Sequence, residues 1–353
     1  MDIFYMLIVF IFPLSIMANL YKDKNNEANK LFTIIVIIIL VLISGLRSNM
    51  GDTSAYKHLY NMVASNTYEY TKGGYEIGFV YFIYVLTRIS ANPQFMIFIT
   101  SLITNVLNVW TFRKYSSYFE LQTFMYIAAG YYIASMNGIR QALVASILFA
   151  ATPYIIKGNF KRYLIIVLLA STMHTSAFIM IPVYFIVRNK MWSKKIAILI
   201  LSSIVGVILI EPLLEIVFNL IEGSKYSIYE NVLDSELNAG VNIIRILVAF
   251  VPVGFSYIMR ERLKSQFKES NIFVNMSLLN FIVMLFASYS WLFARFNYYF
   301  QVYNFILLPY CIKLLINKKE KNLIFYLCIV CYIIYFWYDT RIMGINYMSN
   351  YIG

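Results

Sequence analysis

Arg47, Asp52, Arg140, His174 and Arg295 stand at or near the edges of long apolar stretches, where charged and titratable side chains are unfavourable without a partner. Most lysines sit in short loops between those stretches. Arg47, Arg140, Arg245, Arg295 and Arg341 instead fall at the opposite ends, against the trend. Arginine presents a planar fork of donors, so such a set suits a bidentate anion, and phosphate and diphosphate fit that geometry. Each arginine could instead pair with an internal carboxylate or reach lipid headgroups. Arg47, Arg140 and Arg295 together have few acidic residues to satisfy them. Arg245 lies close to an acidic loop, and Arg341 reads as a tail residue.

The stretch GLRSNMGDTSAYKHLY places Arg47, Gly51, Asp52 and Tyr56 within ten positions. Asp52 reads either as the ion-pair partner of Arg47 or as a group with its own task. Gly51 permits a sharp turn, so this is a shaped loop rather than a frayed helix end. Glu76, in GGYEIGF, is a second carboxylate on the same side. Tyr56 and Tyr298 neighbour charged positions, and Gln141 follows Arg140 directly. His58 reads as a solvated loop residue.

The elements that must hold these residues are helical and membrane-spanning. Of the 353 residues 61% are hydrophobic and only 13% charged, well below the roughly 25% charged residues of soluble domains. Apolar segments run over 3–20, 31–46, 77–90, 94–112, 121–136, 139–156, 161–173, 175–187, 196–220, 241–259, 272–289, 292–316 and 322–338. Many reach the roughly 17–25 residues that cross a bilayer. The expected fold is an all-α polytopic membrane protein with about 12–13 hydrophobic segments, forming one integral membrane domain over 1–353. The first segment has no basic leader and no small-residue cleavage site, and reads as a retained span.

The net charge of +12 does not point to nucleic acid, because it follows the positive-inside pattern. Loops near 21–30, 113–114, 157–162, 188–195, 260–268 and 313–321 are basic and expected in the cytoplasm. The longest loops, 47–76 and 221–240, are expected outside. The second carries Glu222, Glu230, Asp234 and Glu236. Crossing parity fails by one between 47 and 140, so either 77–90 or 121–136 falls short of a span or one loop is misplaced. Segment 161–187 has basic flanks and must go out and back in two helices of about 13 residues, too short for a core of about 30 Å. His174 sits at their joint, in an expected cavity open to the outside. No P-loop, dinucleotide fingerprint or metal-ligand spacing is present, so no cofactor or metal is expected. Cys311, Cys328 and Cys331 lie inside apolar segments and read as packing residues.

The order and spacing of R47-x3-G51-D52-x3-Y56, YEIGF at 75–79, NGIRQALVA at 137–145, HTSA at 174–177 and RFNYYF at 295–300 resemble the EpsG-type branch of the Wzy polysaccharide polymerases, from the second apolar segment to the twelfth. Family members often carry a residue between the glycine and the aspartate, which are adjacent here. The resemblance implies a fold like the large helical membrane glycosyltransferases that use lipid-linked donors. It implies an enzyme at the outer face of the bacterial inner membrane that joins undecaprenyl-diphosphate-linked repeat units into O-antigen, capsule or exopolysaccharide. Donor and acceptor glycolipids and membrane lipids are the implied partners, with a chain-length regulator and a flippase as candidate associates. The diphosphate leaving group would then meet Arg47, Arg140, Arg295 and Arg245, and either His174 or Asp52 would be the base at the acceptor hydroxyl. An O-antigen ligase would share these features. A flippase calls for polar residues along a route between both faces and for paired repeats, neither of which is seen. A membrane acyltransferase would not need several outward arginines.

Overall fold

The computed structural model describes residues 2–69, 74–212 and 240–351. It is about three-quarters helical, without strands among the described residues, and the chain is an all-α polytopic membrane protein. Three helices are by themselves long and apolar enough to cross a bilayer: Ile3–Leu20, Gln94–Lys114 and Lys318–Ile342. Ile243–Ile258 and Arg260–Gln266, bent by 74°, make a fourth if read as one broken span. Several further apolar helices are shorter.

The chain divides into two compact units, Met1–Tyr184 with Ile312–Gly353, and Phe185–Cys311. In the first unit α1 (Asp2–Leu20), α2 (Lys30–Gly45), α5 (Gln94–Lys114), α6 (Phe119–Ala128) and α8 (Ile139–Ala150) form the bundle core. Asn29 caps α2 by accepting the Leu31 and Phe32 N–H groups. The buried residues of α2 are Thr33, Val36, Ile37, Leu40, Val41, Ser44 and Gly45, one helical stripe. A Cβ on Gly45 would lie 2.8 Å from the Phe98 ring, so glycine lets α2 and α5 approach closely.

In α5 the buried stripe is largely polar: Gln94, Thr100, Ser101, Thr104, Asn105 and Asn108. This is the membrane arrangement, in which lipid takes the apolar face and polar groups pair between helices. The two ends of α5 are pinned. Gln94 Nε2 donates to the Gly45 and Arg47 carbonyls at 2.7 and 3.0 Å. At the other end Arg113 pairs with Asp23 and Glu27 and donates to the Ala28 carbonyl. The basic loops near 21–30 and 113–114 therefore share one end of this unit, and Arg47 lies at the opposite end.

Several predicted segments are broken. Segment 121–136 becomes α6 and α7 (Tyr131–Asn137), separated at Gly130, whose φ is +78°. Segment 139–156 becomes α8 and α9 (Thr152–Ile156), with Pro153 at the break. Segment 77–90 is α4 (Ile77–Thr87), 11 residues and so about 16 Å long, short of a full crossing. The 47–76 loop contains an unpredicted helix, α3 (Thr53–Ala64). Segment 161–187 is α10 (Phe160–Ser171), then a 3-10 turn (Thr175–Ile179) running into α11 (Met180–Val187), with His174 at the joint as expected. The C-terminal helix α18 (Lys318–Ile342) leads into a segment that lies along residues 43–49. Ser48 N–H donates to Met348 O at 2.8 Å, and Tyr347 OH donates to Ile43 O at 2.8 Å.

The second unit holds α12 (Lys194–Ile208), α13 (Ile243–Ile258), α14 (Arg260–Gln266), α15 (Ser270–Phe286), α16 (Trp291–Ala294) and most of α17 (Asn297–Lys313). Helices α13 and α15 pack together, and an amide ladder of Asn280, Asn297, Gln301 and Asn304 joins α15 to α17. The expected acidic loop at 221–240 lies outside the described residues, apart from Gly240.

Candidate functional site

Five of the residues singled out in the sequence meet at one end of the first unit: Tyr56, Glu76, Arg140, Gln141 and His174. An apolar platform carries them. Tyr56, Leu59 and Tyr60 of α3, Phe79 and Ile83 of α4, Met96 and Ile97 of α5 and Ile139 of α8 form one buried cluster, with Met173 packed against it.

Glu76 is the residue before α4. Its Oε1 accepts the Thr175 backbone N–H at 2.9 Å and the Thr175 hydroxyl at 3.1 Å, and its Oε2 pairs with Arg140 Nη1. Burial alone would raise the Glu76 pKa. The Thr175 N–H and the Arg140 charge outweigh it and hold the carboxyl below its usual value. Gly78 N–H donates to Thr172 O at 2.8 Å, and a Cβ on Gly78 would sit 2.7 Å from that same oxygen. Only glycine lets the head of α4 lie this close to the Thr172–His174 turn.

Arg140, in the first turn of α8, is enclosed by rings. Its guanidinium carbon lies 4.7 Å from the Tyr75 ring centre, 5.6 Å from Phe79 and 6.0 Å from Tyr56. Nε donates to Tyr56 OH at 3.2 Å and Nη1 to Glu76. Among the described residues Nη2 has no protein hydrogen-bond partner. The side chain keeps 18% of its exposure. Arg140 is thus aimed by two contacts and retains donors for a further acceptor. Burial raises the Tyr56 pKa, which Arg140 opposes only in part, so the phenol stays neutral and keeps a hydrogen to donate.

His174 is the N-cap of the 3-10 turn. Its Nδ1 accepts the Ser176 backbone N–H at 3.3 Å and lies 2.8 Å from Ser176 Oγ. Gln141 Nε2 donates to that hydroxyl oxygen at 3.3 Å.

Arg47 has a different environment. It is 1% exposed. Nε donates to Thr53 Oγ1 at 3.1 Å, Nη1 to the Ser44 carbonyl and to Ser101 Oγ at 3.1 Å, and Nη2 to Met136 O at 3.0 Å. Four of its five N–H groups are engaged, and they tie α2, α3, α5 and α7 together. Beside it lies a cavity of about 10 Å³, room for one water, lined by Ser44, Thr104, Asn105 and Ser135. The pairing of Arg47 with Asp52 is not formed. Asp52 is exposed, and its backbone N–H donates to Asn137 Oδ1 at 3.0 Å. The chain turns away at Gly51, where φ is +49° and a Cβ would overlap the Asn137 side chain at 1.9 Å. That turn carries Asp52 to the surface while Arg47 stays inside.

Arg295, Tyr298 and Arg245 belong to the second unit. Arg295 is exposed, with its guanidinium 4.6 Å from the Trp291 ring centre. Arg245 and Tyr298 are half-buried, Arg245 in the first turn of α13 and Tyr298 in that of α17. Sequence reading missed Tyr75, Asn137, Thr175 and Ser176, which border the residues it did select. All four lie within the quoted motifs, but nothing in their type marks them as neighbours of the selected residues.

No curated protein and no solved structure matches the chain. The EpsG family model matches residues 30–352, which includes every residue of the site just described. The chain belongs to the EpsG family, a family of Wzy-type polysaccharide polymerases and exopolysaccharide biosynthesis proteins.

Proposed function

We propose that this chain polymerises undecaprenyl-diphosphate-linked oligosaccharide repeat units at the outer face of the bacterial inner membrane. The supporting observation is Arg140: a half-buried guanidinium in an aromatic cage, oriented by Glu76 and Tyr56, with Nη2 donors not used by the described protein. A cation prepared in this way stabilises charge that develops on a departing diphosphate, and does so without reorganising during the reaction.

In the proposed step the bond between the anomeric carbon of the growing chain and its lipid diphosphate breaks, and the diphosphate leaves with the electron pair. A new bond forms from that carbon to a hydroxyl of the incoming lipid-linked unit. The hydroxyl proton passes to a base, and the exposed carboxylate of Asp52, at the head of α3, takes this role. Tyr56 adds a neutral donor beside Arg140. Arg295 and Arg245, with Tyr298, are proposed as diphosphate-binding residues within the second unit. Arg47 holds the scaffold on which Asp52, Asn137 and Arg140 are displayed. Lipid-facing apolar helices receive the polyprenyl tails.

Deleting the gene in its own host and separating surface polysaccharide on a gel tests this. Loss of the ladder with retention of a single repeat unit, restored by the wild-type chain and not by Arg140→Ala at equal membrane level, is the expected result. An intact ladder in the deletion strain contradicts the proposal. Loss of even the single-unit product points to a flippase or a ligase.

A further inference from the structure

Arg47 is a buried cation without a counter-charge. None of its hydrogen-bond partners is a carboxylate, and among the described residues it forms no ion pair. Asp52, the carboxylate nearest to it in sequence, is at the surface. Lys57, which does interact electrostatically with Arg47, carries the same sign, and its ammonium donates to the Ser48 carbonyl at 3.4 Å. Carbonyls and hydroxyls occupy the hydrogens of a guanidinium but bring no net charge. A buried charge ordinarily has a partner of opposite sign, because an uncompensated one is costly to keep out of water.

The cavity of about 10 Å³ has the composition of a small-anion site. Arg47 itself lines it, with Ser101 and Thr104 of α5 and Ser44 of α2, and no carboxylate is among its lining residues. Ser101 Oγ accepts from Arg47 Nη1, which leaves its own hydrogen to donate. The Thr104 hydroxyl, on a residue only 5% exposed, has no hydrogen-bond partner among the described residues. The Ser44 hydrogen is already given to Leu40 O at 2.8 Å. Two hydroxyl donors and a guanidinium thus border a space for one particle of about water size. A metal cation there is repelled by Arg47, and a water leaves the charge uncompensated.

We propose that this cavity binds a single-atom anion, chloride, as the counter-ion of Arg47, with the Ser101 and Thr104 hydroxyls as its donors. Met136 and Ile139, next in the chain to Asn137 and Arg140, also line the cavity. The ion therefore braces the joint between α7 and α8 that displays Arg140, from a site separate from the one where Arg140 meets Glu76 and Tyr56.

The full chain in detergent is exchanged into sodium gluconate, whose anion is too large for the cavity, and chloride is titrated in at constant ionic strength and pH. The expected result is a saturable rise in melting temperature of about 2–4 °C. Thr104→Val keeps the side-chain shape and removes one donor, so its half-saturating chloride concentration should be at least about tenfold higher. Arg140→Ala should keep the wild-type response, because the ion is not held at Arg140. Equal melting temperatures in chloride and gluconate would leave the cavity to water and overturn the proposal. A rise unchanged in Thr104→Val, or one lost in Arg140→Ala, would place the anion elsewhere and overturn it as well.

Where Thr104→Val fails to accumulate, chloride NMR on the wild-type and Arg140→Ala chains decides. Saturable broadening of the chloride resonance in both, with the half-point of the melting shift, supports the site. No broadening in either overturns it. These readouts are binding and melting, so they stand apart from whether the chain is a polymerase.

Discussion

Arg47 and Arg140 lie at the same end of one unit, carry the same charge and were selected by the same sequence argument, yet they are held in opposite ways. Arg47 is buried, and its donors go to two backbone carbonyls and two hydroxyls from four helices. Arg140 touches one carboxylate and one phenol, sits among three rings, and keeps Nη2 clear of the described protein. One arginine is consumed by the fold and the other is prepared by it. A guanidinium saturated by carbonyls braces structure; one steered by a short list of contacts can meet a ligand.

The two should therefore fail differently. Arg47→Ala leaves the Ser44 and Met136 carbonyls without their donor in the interior, which costs about 3–5 kcal/mol on the scale of broken buried networks. The expected outcome is loss of the protein from the membrane by immunoblot, before activity can be asked. Arg140→Ala should accumulate normally and lose polymer by about 100- to 1000-fold. Arg140→Lys should recover little, because a point charge cannot keep Nε on Tyr56, Nη1 on Glu76 and still offer Nη2. Equal abundance with equal inactivity in both alanine variants would erase the contrast.

The glycines sharpen it further. Gly51→Ala forces a residue with a Cβ to φ +49° and into Asn137. It should cost about 1–3 kcal/mol, read as a lowered melting temperature in detergent. Gly78→Ala pushes α4 away from Thr172 and should lower activity more than stability, since it moves Glu76 relative to Thr175. Tyr56→Phe keeps the ring beside Arg140 but removes the acceptor of Nε, and a five- to tenfold loss of yield is expected, about 1 kcal/mol.

The smallest effect concerns pH. The Thr175 N–H and the Arg140 charge hold the Glu76 carboxyl below the usual glutamate value, so its contribution to stability is present above that value and lost as pH falls through the folded pKa. Melting temperatures of wild type and Glu76→Gln should differ between about pH 5 and 8, and the difference should shrink only as pH falls below the ordinary glutamate value of about 4.3.

Much of this site was legible in the sequence. Tyr56, Glu76, the adjacent Arg140 and Gln141, and His174 come from four separate stretches of the chain and are brought to one place. The joint at His174 was also readable from segment length and flanking charge. The fate of Arg47 was not, because its partners include backbone carbonyls, which leave no mark in residue type. Helix α3 was hidden by its short length and polar outer face, although Tyr56, Leu59, Tyr60 and Val63 already follow the helical repeat. The return of residues 346–349 to the end of α2 is carried by backbone groups and small polar side chains across some 300 positions, and no local pattern announces it. Gly78 was quoted within a motif but could be understood only once the Thr172 carbonyl was seen against it.

The central claim is that Arg140 is the arginine of this unit that meets the lipid diphosphate. The most direct test is to titrate the detergent-solubilised chain with undecaprenyl diphosphate and compare wild type with Arg140→Ala. The account predicts at least about tenfold weaker binding in the variant, the scale of one charge-assisted contact, with a melting temperature close to wild type. Unchanged affinity in a folded Arg140→Ala chain would contradict it.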